Sequence, residues 1–355
     1  MKLARILITG GAGFVGSNLA LRFRRHVPTC EVLALDNLKR RGSELNIRRL
    51  TAEGIQFQHG DVRCPEDLAE LPKLDLLIDC SAEPSVQAGT RGSPLPVITN
   101  NLTGTVNCLE AARRTGAAFL FLSTSRVYPI KSLNEAPFRE TATRFEWSDT
   151  GVGLSSAGVT EAFPLEGARS IYGATKLSGE LLIQEYVANC GMRALINRCG
   201  VLAGPWQMGK VDQGVITLWV AHHFFGKPLS YIGFGGAGKQ VRDILHVDDL
   251  FELLLRQLDR PDAWDGRVYN IGGGRQVSVS LLELTELCRK ATGRQIDIKS
   301  VPETSAVDVR IYLSDCGKAR RDFGWQPNHS PEQLVSDIFQ WLRQNETALR
   351  PVFAG

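Results

Sequence analysis

Several marks of specialised proteins are missing from these 355 residues. The 41 basic side chains barely exceed the 38 acidic ones, for a formal charge of +3. That balance gives no electrostatic footprint for nucleic acid or an anionic membrane. No apolar run nears the ~18 residues of a membrane span; even Val215–Phe225 is broken by His222 and His223. The eight cysteines are scattered without a C-x-x-C pair. No His/Cys cluster has zinc spacing, so no metal is expected. Thiols in apolar surroundings read as small buried hydrophobes kept reduced. The opening MKLARILITGG reaches glycine too soon for a signal peptide. Internal repeats and low-complexity segments are absent too. The expectation is a soluble cytoplasmic protein with neither nucleic-acid nor membrane partners.

At 43% apolar and 22% charged residues, the chain has the composition of an ordinary globular protein. Its length predicts about two domains, at roughly 150 residues each. Strand-length apolar runs at 4–9, 31–35, 55–59, 74–80 and 117–122 alternate with amphipathic stretches at 14–25, 44–52, 65–71 and 102–114. This β-α-β-α order predicts a parallel sheet covered by helices. Residues 193–199 add a strand. Residues 200–240 show no sustained alternation, and a helix follows His246. A strand at RVYNIGG, a helix over 280–291, a strand over 295–300 and a helix over 332–344 complete the pattern. Residues 131–169 form a Gly/Ser/Thr/Pro-rich segment of a length that is often functional. The boundaries predict a cofactor domain over 1–200 plus about 241–268. A substrate domain takes 201–240 and 269–355.

GGAGFVGSNLA follows the first strand directly. Gly10, Gly13 and Gly16 are a relative of the dinucleotide fingerprint: a tight turn, close approach to a pyrophosphate, and helix packing on the strand. The helix starting near Phe14 offers unpaired amides and the positive end of its dipole to phosphates. The second strand ends in Asp36, whose carboxylate accepts ribose hydroxyls and repels a 2'-phosphate, favouring NAD. Lys39, Arg40 and Arg41 could bind phosphate or be a solvated basic turn. The third strand ends in GDV. Asp61 is placed to meet the adenine amino group, or equally to serve a turn or cap.

In SIYGATKLSGE, Tyr172 and Lys176 are four apart and share a helix face. A phenol of pKa near ~10 is a poor base, but a nearby ammonium stabilises phenolate. Alone, the pair could be an ordinary helix-surface contact. The fifth strand, however, ends FLSTSRVY at the carboxyl edge where ligands bind in open α/β sheets. There Thr124 can offer a hydroxyl, with Ser123 beside it. The ordered set GGAGFVG, LDN, GDV, STSRVY and YGATK resembles the extended short-chain dehydrogenase/reductase family over nearly the whole chain. The resemblance implies an α/β fold: a Rossmann-type doubly wound parallel sheet with a smaller α/β C-terminal substrate domain. It implies Thr124, Tyr172 and Lys176 as the catalytic set. NAD would be lined by the glycine loop with Phe14 and Val15, by Asp36 and Asn37, and by Asp61 and Val62. Ser81, Ala82, Asn101, Ser123 and Cys199 would join them, with Tyr172 and Lys176 at the reacting end. Asn101 would order the active-site helix, or simply cap a turn. A homo-oligomer, dimer or tetramer, would pair through 102–114 and 172–189.

The family's 4,6-dehydratases carry Asp-Glu after the catalytic threonine, whereas this chain has Ser125 and Arg126, neither a proton-transferring acid. DQG, GKQVRD-HxxD, NIGGG and SAVDVRIYLSD resemble the CDP-paratose (CDP-tyvelose) 2-epimerase branch. By that resemblance Arg242 and Arg310 bind the diphosphate of a nucleotide sugar, CDP-sugar favoured. Each could instead form a surface salt bridge. Gln213 and Gln240 would read sugar or base, and Glu83, Thr124, Ser125 and Arg126 would border the sugar. His246 and Asp248 read as caps of the following helix. Departures are Pro129 for a glycine, Glu83 for an amide, the small CGVLAGP, and the 131–169 segment. The expected activity is NAD-dependent 2-epimerisation. A 4-epimerase or 4-reductase, and a non-catalytic NAD-binding sensor, are the alternatives.

Overall fold

In the computed structural model, which describes residue 1 and residues 3–353, the alternation of the first half resolves into regular elements. They are β1 (Arg5–Thr9), α1 (Phe14–His26), β2 (Glu31–Asp36), α2 (Leu45–Ala52), β3 (Gln56–His59), β4 (Leu76–Asp79), α3 (Leu95–Ile98), α4 (Gly104–Thr115) and β5 (Ala118–Thr124). Then come α5 (Ile130–Glu135), the hairpin strands β6 (Phe138–Glu140) and β7 (Phe145–Trp147), α6 (Ile171–Cys190) and β8 (Ala194–Cys199). Next are β9 (Val201–Ala203), α7 (Val215–Phe225), β10 (Leu229–Ile232), β11 (Val241–His246), α8 (Val247–Leu258) and β12 (Asp265–Ile271). The chain continues through β13 (Ser278–Ser280), α9 (Leu281–Thr292), β14 (Ile298–Val301) and β15 (Ile311–Tyr312). It closes with α10 (Gly317–Phe323), α11 (Pro331–Gln344) and α12 (Glu346–Phe353). The helix expected over 65–71 is only a 3-10 turn at Pro65–Leu68.

Two units separate by contacts. The first comprises Met1–Val127, Ser170–Arg198 and Phe251–Tyr269; the second comprises Tyr128–Arg169, Cys199–Leu250 and Asn270 onward. Residues 128–169 and 241–250, drawn into the cofactor domain by the sequence boundaries, therefore group with the second unit. Its length becomes nearly equal to that of the first.

The first unit is built on a seven-stranded parallel sheet of order β12-β8-β5-β4-β1-β2-β3, flanked by helices. Strand order reverses between β1 and β4, which creates a crevice beyond their carboxyl ends. Leu7, Leu77, Phe119, Phe121 and Ile196 of the sheet pack with Leu109 and Ala112 of α4 and Ile183 of α6 in one buried cluster. Burying each large side chain contributes about 1.5–3 kcal/mol.

The second unit centres on β11, which pairs antiparallel with β13 and parallel with β15 and β9. VRDILH lacks alternation because five of its six residues are buried, as expected of a strand covered on both faces. Helices α7, α9 and α11 pack together, and Thr285 on α9 takes hydrogen bonds from Trp219 Nε1 (3.0 Å) and the Tyr231 hydroxyl (2.8 Å). Residues 128–169 are an ordered part of this unit. The Tyr128 hydroxyl donates to Asn270 Oδ1 at 2.7 Å, Asn270 Nδ2 donates to the Val159 carbonyl, and Val159 N–H donates to the Leu313 carbonyl.

Asp243, wholly buried on β11, accepts from the N–H groups of Gly274 (3.2 Å) and Ser314 (3.0 Å). A Cβ on Gly272 would lie 2.0 Å from its Oδ2, so NIGGG is the backbone wrapped around a carboxyl group. Burial pushes this carboxyl up from 3.8 to about 6. The folded state thus holds the proton more tightly than the unfolded chain. The group's stabilising contribution is full below pH ~4 and is lost as pH rises through about 6. Urea titrations from pH 4 to 7 should show this decline in the wild type, and a flatter profile in Asp243→Asn.

Candidate active site

The glycine loop follows from close approaches. Gly10 has φ +62°, and a Cβ there would lie 2.8 Å from the Cys80 carbonyl, where the chain leaves β4. On Gly16 a Cβ would sit 2.2 Å from the Gly10 carbonyl. Only bare backbone lets the two loops cross at the switch point while α1, starting at Phe14 and Val15, begins beneath Gly13. Asp36 ends β2 as expected. Its carboxylate accepts from Ala12 N–H (3.1 Å) and Leu38 N–H (2.7 Å). Burial pushes this carboxyl up, against the pull of those N–H groups and that of Gly13. A cradle that any side chain would fill, with a carboxylate at the end of the next strand, fits the pyrophosphate and adenosine ribose of NAD.

Asp61 is more engaged than the sequence suggests. Arg63 grips it at 2.5 Å and Asn37 donates to it at 2.9 Å, holding its carboxyl well below the usual range. Val62 beside it is buried, its carbonyl taken by Asn107. Past β4, the Ser81 hydroxyl donates to Asp79 (2.6 Å), and Ala82 leads into Glu83.

Asn101 is buried in a π-helical turn, Thr99–Thr103, between α3 and α4. Its Oδ1 accepts from Glu83 N–H (2.7 Å), while Nδ2 donates to the Glu83 carbonyl (3.1 Å) and to Thr175 Oγ1 on α6 (3.3 Å). It therefore ties the loop after β4 to the helix of Tyr172 and Lys176. The Glu83 carboxylate accepts from Ser85 N–H at 3.3 Å in its own loop.

That helix is capped by the Ser170 hydroxyl, which accepts from Gly173 N–H at 3.1 Å. Thr175, Lys176, Gly179, Glu180 and Ile183 are buried, the spacing of one helix face. A Cβ on Gly179 would lie 3.1 Å from Phe121 Cζ, so the glycine brings α6 close against β5. Lys176 is 1% exposed, with Nζ 4.3 Å above the Phe121 ring centroid. Tyr172, one turn nearer the helix start, is half-buried. Thr124 ends β5, its Oγ1 accepting from Arg126 N–H at 3.2 Å. Ser125 and half-buried Arg126 form a 3-10 turn there.

The Ser123 hydroxyl donates to buried Glu180, so its side chain points into protein and its main chain is the part left for the cofactor contact expected of it. Glu180 also holds Arg198 of β8 in a buried pair. Neither residue belongs to a motif that marks it as functional. The signals were present: Glu180 continues the four-residue spacing of Tyr172 and Lys176, and Arg198 interrupts an apolar strand.

Cys199, Gln213, Gln240, Arg242 and Arg310 belong to the second unit. Cys199 is buried at the end of β8. Gln213 closes a small turn with Lys210. Gln240 is buried, its amide donating to the Ile232 carbonyl at 2.9 Å, while its Oε1 has no hydrogen-bond partner. Arg242 is held by Asp308 at 2.7 Å and by the Val241 and Val309 carbonyls. In this structure its guanidinium thus serves the protein's own acceptors. Arg310 donates to the Asn134 carbonyl and lies 3.9 Å from the Phe138 ring centroid, with Phe234 at 5.3 Å and Phe145 at 5.8 Å.

His246, Asp248 and His329 bring ligand-type atoms within 4.8 Å of one another. The two rings stack at 4.3 Å and 17°, so their lone pairs run side by side instead of converging on an ion. His246 Nδ1 accepts from Asp248 N–H (3.0 Å) at the start of α8, the capping role expected of it.

Residues 6–272 match the NAD dependent epimerase/dehydratase family. The chain belongs to that family. It is an enzyme of the extended short-chain dehydrogenase/reductase type, and its cofactor is NAD. CDP-paratose 2-epimerase of Salmonella typhi is 29% identical over 349 residues, covering 95% of this chain and 98% of that protein. A dTDP-glucose 4,6-dehydratase of Mycolicibacterium smegmatis is 31% identical over 353 residues, covering 98% and 96%. Among solved structures, UDP-glucuronic acid 4-epimerase from Bacillus cereus, in complex with UDP-glucuronic acid and NAD, superimposes with a TM-score of 0.77 at 25% identity over 96% of this chain and 99% of that one. Members of the family thus include nucleotide-sugar epimerases and dehydratases.

For this member the glycine loop gives a direct test. Gly16→Ala should fold yet bind NAD at least about tenfold more weakly, because its methyl group displaces the loop that approaches the pyrophosphate. Gly92→Ala, where a Cβ meets nothing within 4 Å, should bind as the wild type does in a calorimetric titration.

Proposed function

We propose that this protein is a nucleotide-sugar epimerase acting at carbon 2, with a CDP-sugar as substrate. The observation that carries the reading is the 3-10 turn after Thr124. There Ser125 and Arg126 supply no carboxylic acid for the proton transfers of dehydration. The likeness to the Salmonella typhi CDP-paratose 2-epimerase across 95% of the chain supports carbon 2 and the cytidine nucleotide.

When bound, NAD supplies the hydride acceptor and donor that lets a sugar carbinol be oxidised and then reduced on its other face. Tyr172 takes the hydroxyl proton at its phenolic oxygen and later returns one. The buried Lys176 ammonium favours the phenolate this requires. Thr124 donates a hydrogen bond to the same sugar oxygen. Arg310 and Arg242 bind the diphosphate, Arg242 exchanging Asp308 for it. Gln213 and Gln240 read sugar or base through their amide groups. Phe138, 40% exposed, offers a stacking face beside Arg310.

Two further parts belong to this reading. Helices α4 and α6 meet through the Tyr186 hydroxyl and Glu110 (2.7 Å). Leu181, 57% exposed on α6, marks the face that a second copy would cover. No helix of the described residues is long and apolar enough to cross a membrane, and all eight cysteines are free thiols. Both support a cytoplasmic enzyme.

Tyr172→Phe should fold and retain NAD while turnover falls by about 10²–10⁴-fold, the usual worth of a positioned acid–base group. Assays on a panel of nucleotide sugars, with product stereochemistry read by NMR, provide the measurement. Deuterium at carbon 2 of the substrate should slow turnover and deuterium at carbon 4 should not. An isotope effect at carbon 4 alone would transfer the assignment to a 4-epimerase, and a 4-keto-6-deoxy product would restore dehydration.

A further inference from the structure

The face of α6 that meets the sheet buries two opposite charges one helical turn apart. Lys176 is 1% exposed and Glu180 2%. Glu180 is chelated by Arg198, 4% exposed: Arg198 Nε lies 3.0 Å from each carboxylate oxygen and Nη2 lies 2.6 Å from Oε2. The Ser123 hydroxyl donates to Oε1 at 2.5 Å. A buried ion pair gains little net stability over apolar packing, so its place on this helix calls for another account. An unpaired carboxylate there would offset the Lys176 ammonium as seen from Tyr172. Loss of the carboxylate itself would leave the end of β5 without the hydrogen bond that Ser123 makes to α6.

We propose that Arg198, by chelating Glu180, leaves the field of Lys176 undiminished at Tyr172, while Glu180 fixes through Ser123 the strand end that carries Thr124. Both are positioning residues, and the inference rests on the reading of Tyr172 as the proton-transferring group. Other ionisable groups around this helix face are fixed separately. Asp79 takes hydrogen bonds from Thr9, Ser81 and Thr105. Burial holds the Cys108 thiol well above its usual range. Glu83 is tied to its own loop.

Eight residues of helix put Glu180 about 12 Å along the axis from Tyr172. At an effective dielectric near ~20, one unit charge at that range moves a titration by about one pH unit. The phenolate absorbance at 295 nm, measured for each protein as purified and corrected with the same protein carrying Tyr172→Phe, isolates this tyrosine without any substrate. Arg198→Met should raise the Tyr172 titration by about one pH unit, and the near-isosteric Glu180→Gln should lower it by a similar amount. The double variant should return it close to the wild-type value. Shifts of the same sign, or no shift in Glu180→Gln with wild-type circular dichroism, would overturn the inference even if Arg198→Met failed to fold. A wild-type Tyr172 titrating like a free phenol would instead overturn the assignment of Tyr172 as the base.

Discussion

The seat of α6 against β5 is the constraint on which the candidate site depends. Gly179 has no side chain to hold the helix off Phe121, and the aromatic face of Phe121 in turn receives the Lys176 ammonium. A cation over an aromatic ring keeps part of the attraction it loses on leaving water. That helps a lysine remain buried with its charge. The same approach encloses Glu180, Arg198 and Ser123, and Asn101 reaches Thr175 from the other side. Each polar group on the inner face of α6 thus has a partner fixed by the backbone of another element.

The first unit was legible in the sequence because its signals are local. Apolar runs of strand length and amphipathic helices can be read within a dozen residues. The glycine loop is legible for a stricter reason: the Gly10 and Gly16 contacts admit no Cβ. Tyr172 and Lys176 could be paired from helical spacing alone. Glu180 and Arg198 are marked singly, by helical spacing and by a charge within an apolar strand, but that they pair with each other becomes legible only once the partner strand is known.

The second unit was far less legible. Its strands are two to six residues long, and β11 is too fully buried to alternate. Segment 131–169 reads as a loop because the partners that order it are remote: Tyr128 meets Asn270 across 142 positions of sequence. Arg242 illustrates the same limit. Motif likeness marks it as an anion ligand, yet its first partner in the fold is Asp308, supplied by a segment 66 residues away. Ordered pairings of this kind carry no periodic signature.

The interleaving of the two units also bears on how such a chain can diversify. Each stretch of the second unit branches off at or just past the carboxyl end of a sheet strand: after β5, with β8, and within the last residues of β12. Every one of these branch points therefore follows a strand of the first unit in the sequence. Insertions and exchanges in those branches can change the second unit and leave the register of the sheet intact. The converse also holds. Neither unit is a continuous piece of chain, so neither can be inherited, transplanted or expressed as a simple cassette, and recombination would have to conserve the frame while its branches vary one at a time.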